Sequence, residues 1–196
     1  MNTSTSTRVR GLAIALIVLL AAGCADAPAP KYQPAVGNTE VLIKQPTKLA
    51  VGSFTAAPGV ENRQLFMRGA NQMKGGGADG TFSGYLHDAV VSELQTANRY
   101  DPHSDLLLSG VLTRNAISAG ASKGSATVGA QFTLSRDGRV CFSKTLVAHS
   151  EWPSSFIAAI AIPAVITNYP GTYQKLLGEL FTDPLFQAPA CGDPPR

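Results

Sequence analysis

The side chains that could carry chemistry in this chain are three cysteines, three histidines and a scatter of carboxylates. His87, His103 and His149 stand too far apart to share a metal by local spacing, and neither an HExxH nor a CxxC occurs. His103 sits in DPHSD, where Asp, Ser and Pro serve turn geometry without any catalytic demand. Asp88, Asp101, Asp105 and Glu151 could work as acid and base only if the fold brought two of them together, and no GxSxG nucleophile elbow is present. The glycines of KGGGADG and GASKGS resemble phosphate loops only superficially, and no GxxxxGK[ST] occurs. The expectation is a non-enzymatic protein with no metal and no cofactor.

Cys24 is the cysteine with a definite chemical setting. A short polar start carrying Arg8 and Arg10 precedes the apolar GLAIALIVLLAA and then Gly23-Cys24, which is the layout of an export signal. LAAGC, Leu20 to Cys24, resembles the lipobox of bacterial prolipoproteins, with Ala21 where that pattern prefers Leu and Leu20 one place earlier. The resemblance implies cleavage before Cys24 and alkylation of its thiol with diacylglycerol, hence a membrane partner. Two or three acyl chains, at about 0.8 kcal/mol per buried methylene, anchor a protein durably. In such lipoproteins an Asp directly after the cysteine favours inner-membrane retention. Ala25 holds that place and Asp26 comes next, so the periplasmic face of the outer membrane is expected, with the inner membrane as the alternative. Losing Arg8 and Arg10 with the signal leaves 14 basic residues against 13 acidic ones, no electrostatic basis for binding nucleic acid.

Cys141 and Cys191 remain in the mature chain, 50 residues apart. In an oxidising envelope they either pair, stapling the C-terminal tail to the body, or stay as two thiols. Residues 24–47 are rich in Pro and Ala without sustained periodicity and read as an extended tether. Residues 48–187 then form one domain, and 188–196 a tail.

Within the domain, Leu49 to Phe54 reads as a strand, and a long Gly-rich stretch follows over 55–80. Phe82 to Asn98 carries an apolar stripe at helical spacing, stopped by Asp101-Pro102. Leu106 to Ser118, Ala126 to Ser135 and Val140 to Ala148 read as a meander, the middle strand alternating cleanly between apolar and polar. Across the Arg136-Asp137-Gly138 turn, burial favours a three-residue bulged loop that pairs Leu134 with Val140 and Phe132 with Phe142. It leaves Lys144 opposite Ala130. Tyr173, Leu176, Leu177, Leu180 and Phe181 mark a last helix over Pro170 to Thr182, with Pro170 in its first turn. The fold expected is α+β and two-layered: a roughly four-stranded, mostly antiparallel sheet in the order β-α-β-β-β-α, with two helices on one face. This element order, behind a lipobox and a Pro-rich segment, resembles envelope lipoproteins that assist transport or assembly, such as transporter-auxiliary and lipopolysaccharide-assembly lipoproteins.

FIAAIAIPAVI, Phe156 to Ile166, is too short to span a bilayer and carries Pro163, which biases Ile162 away from helical geometry. It is expected as a connector between sheet and last helix, either buried or forming an apolar binding surface from Phe156, Ile157, Ile160, Ile162, Val165 and Ile166. The function expected is a lipid-anchored envelope module that binds a protein partner or helps assemble a complex. The alternative is a carrier for a hydrophobic ligand such as a lipid.

Overall fold

A computed structural model describes residues 26–189 and 191, so Cys24, its signal and most of the 188–196 tail lie outside the described residues. The main sheet contains strands β2 (Ala50–Ala56), β5 (Leu106–Ala119), β6 (Lys123–Arg136) and β7 (Arg139–Pro153), in the order β2-β5-β6-β7. β2 runs parallel to β5, and the other neighbours are antiparallel. Helices α2 (Phe82–Thr96) and α3 (Ala158–Phe181) pack on it. The inward residues of β6, Ala126, Val128, Ala130, Phe132 and Leu134, are buried, while Gln131 on the opposite face is exposed. This is the α+β, two-layer arrangement that the alternation demands.

Five elements, in three places, lie outside that expectation. The segment 26–47 is not a free tether: it contributes strand β1 (Ala27–Pro28) and helix α1 (Val36–Ile43), and buries Ala29, Tyr32, Asn38 and Leu42 against the body. The Gly-rich stretch folds into a hairpin of β3 (Gln64–Arg68) and β4 (Asn71–Lys74), which with β1 makes a second sheet ordered β1-β4-β3. Its inner residues Leu65, Met67 and Met73 are buried, a short alternation easily lost among glycines. A four-residue helix, α4 (Pro184–Gln187), closes the chain.

The last long helix starts at Ala158, twelve residues before the expected Pro170, and continues through both prolines. Each proline removes one helical N–H, at a cost of roughly 3 kcal/mol or more in a helix interior. Ala161, Val165, Tyr169, Thr172 and Tyr173 nevertheless continue one buried stripe across them, so packing outweighs local preference. Pro163 and Pro170, seven residues apart, lie on the same side of the helix off this buried stripe, the first exposed and the second half-buried. Asn168 Nδ2 donates to the Ala164 carbonyl at 2.8 Å within the same stretch. At the other helix, Asn98 in left-handed geometry (φ 55°) ends α2 before Asp101-Pro102 is reached.

The β6–β7 register also differs from expectation. Asp137 and Gly138 both have positive φ, 49° and 77°, making a two-residue turn with Arg136 opposite Arg139. One extra residue, Cys141, is then absorbed as a bulge, so Leu134 pairs with Phe142 and Phe132 with Lys144. The bulge moves from the turn into the strand: Val140 leaves the buried side for an exposed place opposite Ser135, while Phe142 and Ala148 stay buried opposite Leu134 and Val128. A second bulge, after Leu112 in β5, turns Asn115 inward.

Candidate functional site

The run Phe156 to Ile166 divides in two. Val165 is fully buried, and Ile162 and Ile166 are partly buried against the core. Phe156, Ile157 and Ile160 are 79%, 45% and 55% exposed. The run is not a connector before the last helix but its lead-in and first turns, buried in its second half, and the surface expectation is confined to these three residues. They are held in place, because the Arg68 guanidinium donates to the Ser155 and Phe156 carbonyls at 3.0 and 2.9 Å, and the Ile157 N–H donates to Ser155 Oγ at 3.1 Å. The result is an apolar lead-in, cap and first turn of α3 that projects before the helix enters the core.

The N-terminal segment is locked to the body by Glu93, which is fully buried. Its Oε1 accepts from Tyr32 Oη at 2.6 Å, Asn38 Nδ2 at 2.9 Å and the Ala35 N–H at 3.0 Å. Burial first, and then the hydrogen bond to Glu93, holds the Tyr32 hydroxyl well above its ordinary value, so it remains a donor. Beneath this lock lies an aromatic stack. Tyr85 meets Tyr173 edge-on with centroids 4.9 Å apart, and Tyr169 hydrogen-bonds Tyr173 at 2.9 Å and Asn115 Oδ1 at 2.7 Å. Burial pushes the Tyr85, Tyr169 and Tyr173 hydroxyls upward, leaving them neutral structural groups. Glu93 falls one helical turn after Ala89 and Val90, on the apolar stripe of α2, and that position is the sequence signal for its burial.

A hollow of about 530 Å³ opens between Pro28–Tyr32 and Gly75–Ala78, with Tyr85 beneath and Lys31, Asp88 and Ser92 among its walls. Gly75, Gly77 and Gly80 stand at G-x-G-x-x-G spacing between β4 and α2, a spacing that could cradle phosphate. Here four of the loop's donors are already used. The N–H groups of Gly75, Gly77 and Gly80 bond to the carbonyls of Arg63, Thr81 and Gly77, and that of Ala78 to Asp88 Oδ2. Asp79 accepts from the Thr81 N–H at 2.9 Å, and its Thr81 hydrogen bonds hold its carboxyl below the usual range. Two carboxylates thus occupy the place of an anion. Gly77 is needed because a Cβ there would overlap the backbone of Gly84 and Tyr85.

The other titratable groups are dispersed. His87 contacts Asp88 at 3.0 Å, Asp105 pairs with Arg136 at 3.0 Å, and Glu151 lies 2.9 Å from Lys123 and 3.5 Å from His149. Asp101 accepts from the His103 N–H at 3.0 Å. Among the described residues no three His, Cys, Asp or Glu side chains converge on a metal-sized site.

At the far end of the fold, Cys141 and Cys191 are joined as a disulfide, Cα atoms 4.3 Å apart, with Cys141 at the β7 bulge. Nearby, Lys144 bridges to the buried Asp183 at 2.5 Å, and Asp183 accepts from the Leu185 N–H at 2.8 Å to cap α4. Lys144 is the basic residue on the apolar side of β7, and this bridge is how its charge is met. The Lys144 hydrogen bond is the main cause lowering the Asp183 carboxyl. A depressed folded-state value stabilises the protein above the ordinary Asp range, and that stabilisation disappears as pH falls through the folded value. Asp183→Asn should therefore be less stable than the parent at pH 7, and the gap should close in acid below about pH 4. Denaturant midpoints across that range check it.

No family model matches this chain, and no curated protein matches it. Among solved structures it is similar to protein XCC0632 from Xanthomonas campestris, of family DUF330, at 18% identity over 84% of this chain and 95% of that one, with a TM-score of 0.55. It is also similar to a candidate lipoprotein from Caulobacter crescentus CB15, at 12% identity over 74% and 90% of the two chains, with a TM-score of 0.43. The first likeness is one of fold: the α+β architecture recurs in the Xanthomonas protein across nearly its whole length.

Proposed function

We propose that this protein is a lipid-anchored envelope lipoprotein, held through Cys24 at the periplasmic face of the outer membrane, that binds a protein partner through the first turn of α3. It works by binding and not by catalysis. The observation that carries the reading is the rigid, exposed apolar trio Phe156, Ile157 and Ile160, at the start of a helix whose continuation is buried. Exposed apolar side chains grouped this way fit the dry centre of an interface. The lipobox at Leu20 to Cys24 supports the anchor. The core between sheet and helices is filled by side chains such as Phe82, Leu86, Phe132 and Leu134, all essentially buried, which favours a binding module over a lipid carrier.

Ile160→Asp tests the reading. The side chain is more than half exposed, so stability should change by no more than about 0.5 kcal/mol, while co-purification of the envelope partner is lost. Loss of folding instead would place Ile160 in the core, and retention of the partner would remove the trio from the interface.

A further inference from the structure

The acylated residue leaves almost no slack before the fold begins. Asp26, the first described residue, is two positions after Cys24, and two extended residues reach about 7 Å at most. Asp26 is itself held, its carboxylate 2.7 Å from Lys74 Nζ. Ala27 and Pro28 pair with Met73 and Lys74, and the Ala29 N–H donates to the Lys74 carbonyl at 2.8 Å. An anchor at Cys24 must therefore leave the protein at the β1 edge of the small sheet. β3 lies two strands away in the order β1-β4-β3, about 10 Å along the sheet. The buried face of this sheet is Leu65, Met67 and Met73, so the opposite face carries Gln64 and Phe66 of β3, ahead of the register shift at Arg68. Phe66 is 59% exposed there. Of the basic residues of this region, Lys74 is paired with Asp26, and Arg68 is bonded to the Ser155 and Phe156 carbonyls. Arg63 and Lys31 are both exposed near this sheet.

We propose that the outer face of the β1-β4-β3 sheet lies on the bilayer that holds the anchor, with Phe66 entering the headgroup region and the exposed Arg63 and Lys31 meeting anionic lipid. An exposed aromatic ring on a surface that also carries exposed Lys and Arg has the composition of an interfacial contact. The chain length selects the occupant, since an acylated Cys24 within about 7 Å of Asp26 holds the β1 edge, and the face adjoining it, at the lipid surface. The inference rests on acylation of Cys24. With it, the domain rides directly on the lipid and is oriented there, with no Pro-rich spacer to hold it away.

The test uses the full-length acylated protein, reconstituted in phosphatidylethanolamine–phosphatidylglycerol vesicles with or without brominated acyl chains. The parent has a single tryptophan, Trp152, which is buried and gives the baseline. In Phe66→Trp, the emission added by the new indole should fall by about half or more in brominated vesicles, with little change in the parent. Equal emission in the two kinds of vesicle, from protein that floats with them, overturns the proposal while leaving the anchor intact. A mature protein with no acyl mass on Cys24 overturns the anchor reading, and this proposal with it.

Discussion

Replacing Glu93 with alanine should cost about 3 kcal/mol of folding stability and loosen residues 26–47 from the body. One fully buried carboxylate oxygen accepts from the Tyr32 hydroxyl, the Asn38 amide and the Ala35 backbone N–H. Removing it leaves the Tyr32 and Ala35 donors buried or part-buried without an acceptor, while Asn38 keeps only its bond to the Gln174 carbonyl at 3.0 Å. Unsatisfied buried donors cost more than a hydrogen bond returns, roughly 1–3 kcal/mol each, and the vacated side-chain volume adds to that. Glu93→Gln retains an acceptor at the same position and should lose distinctly less. Urea unfolding of the two variants gives the energies, and amide exchange over residues 32–42 shows whether the loss is local. A loss below about 1 kcal/mol for the alanine variant would mean that the N-terminal segment is held by apolar packing alone.

Opening the Cys141–Cys191 disulfide should cost about 2–4 kcal/mol. The bond closes a loop with a sequence separation of 50 residues, and the chain-entropy relation gives about 4 kcal/mol for a loop of this size, the upper end of the range. Native contacts near the bond do not depend on it and should survive its loss. Phe186 remains buried against Phe142, ring centroids 5.6 Å apart, and Asp183 still caps α4. The effect should accordingly appear as a lower denaturant midpoint with unchanged folded-state spectra, alike for reduced protein and for Cys141→Ser. An unchanged midpoint would show that the tail adds nothing to the cooperative unit.

What the sequence discloses and what it conceals follow from the range of the forces involved. The order strand, helix, meander, helix is legible because each element carries its own apolar period, most clearly in Ala126 to Leu134. The face parity of the β6–β7 hairpin is legible for the same reason, but its two-residue offset is not. Pattern alone does not distinguish a bulge at Gly138 from one at Cys141. Long-range packing hides the rest. Pro163 and Pro170 argue locally for a break, and only the sheet beneath them makes a continuous helix the lower-energy solution. Tyr32 and Leu42 sit in a segment whose composition signals an extended spacer, and their burial depends on Glu93 and on helices far along the chain. Of the apolar run, the six residues were legible as a group, but which of them face solvent is decided by where α3 meets the core.

The central claim, an anchored module that recognises a partner through the first turn of α3, is tested most directly by photocrosslinking in living cells from position 156 of the full chain. The account predicts one dominant envelope-protein adduct, lost when Ile160→Asp is added and absent when the probe is moved to Val147 on the open face of the main sheet. Equal adducts from positions 156 and 147, or adducts to lipid alone, would contradict it.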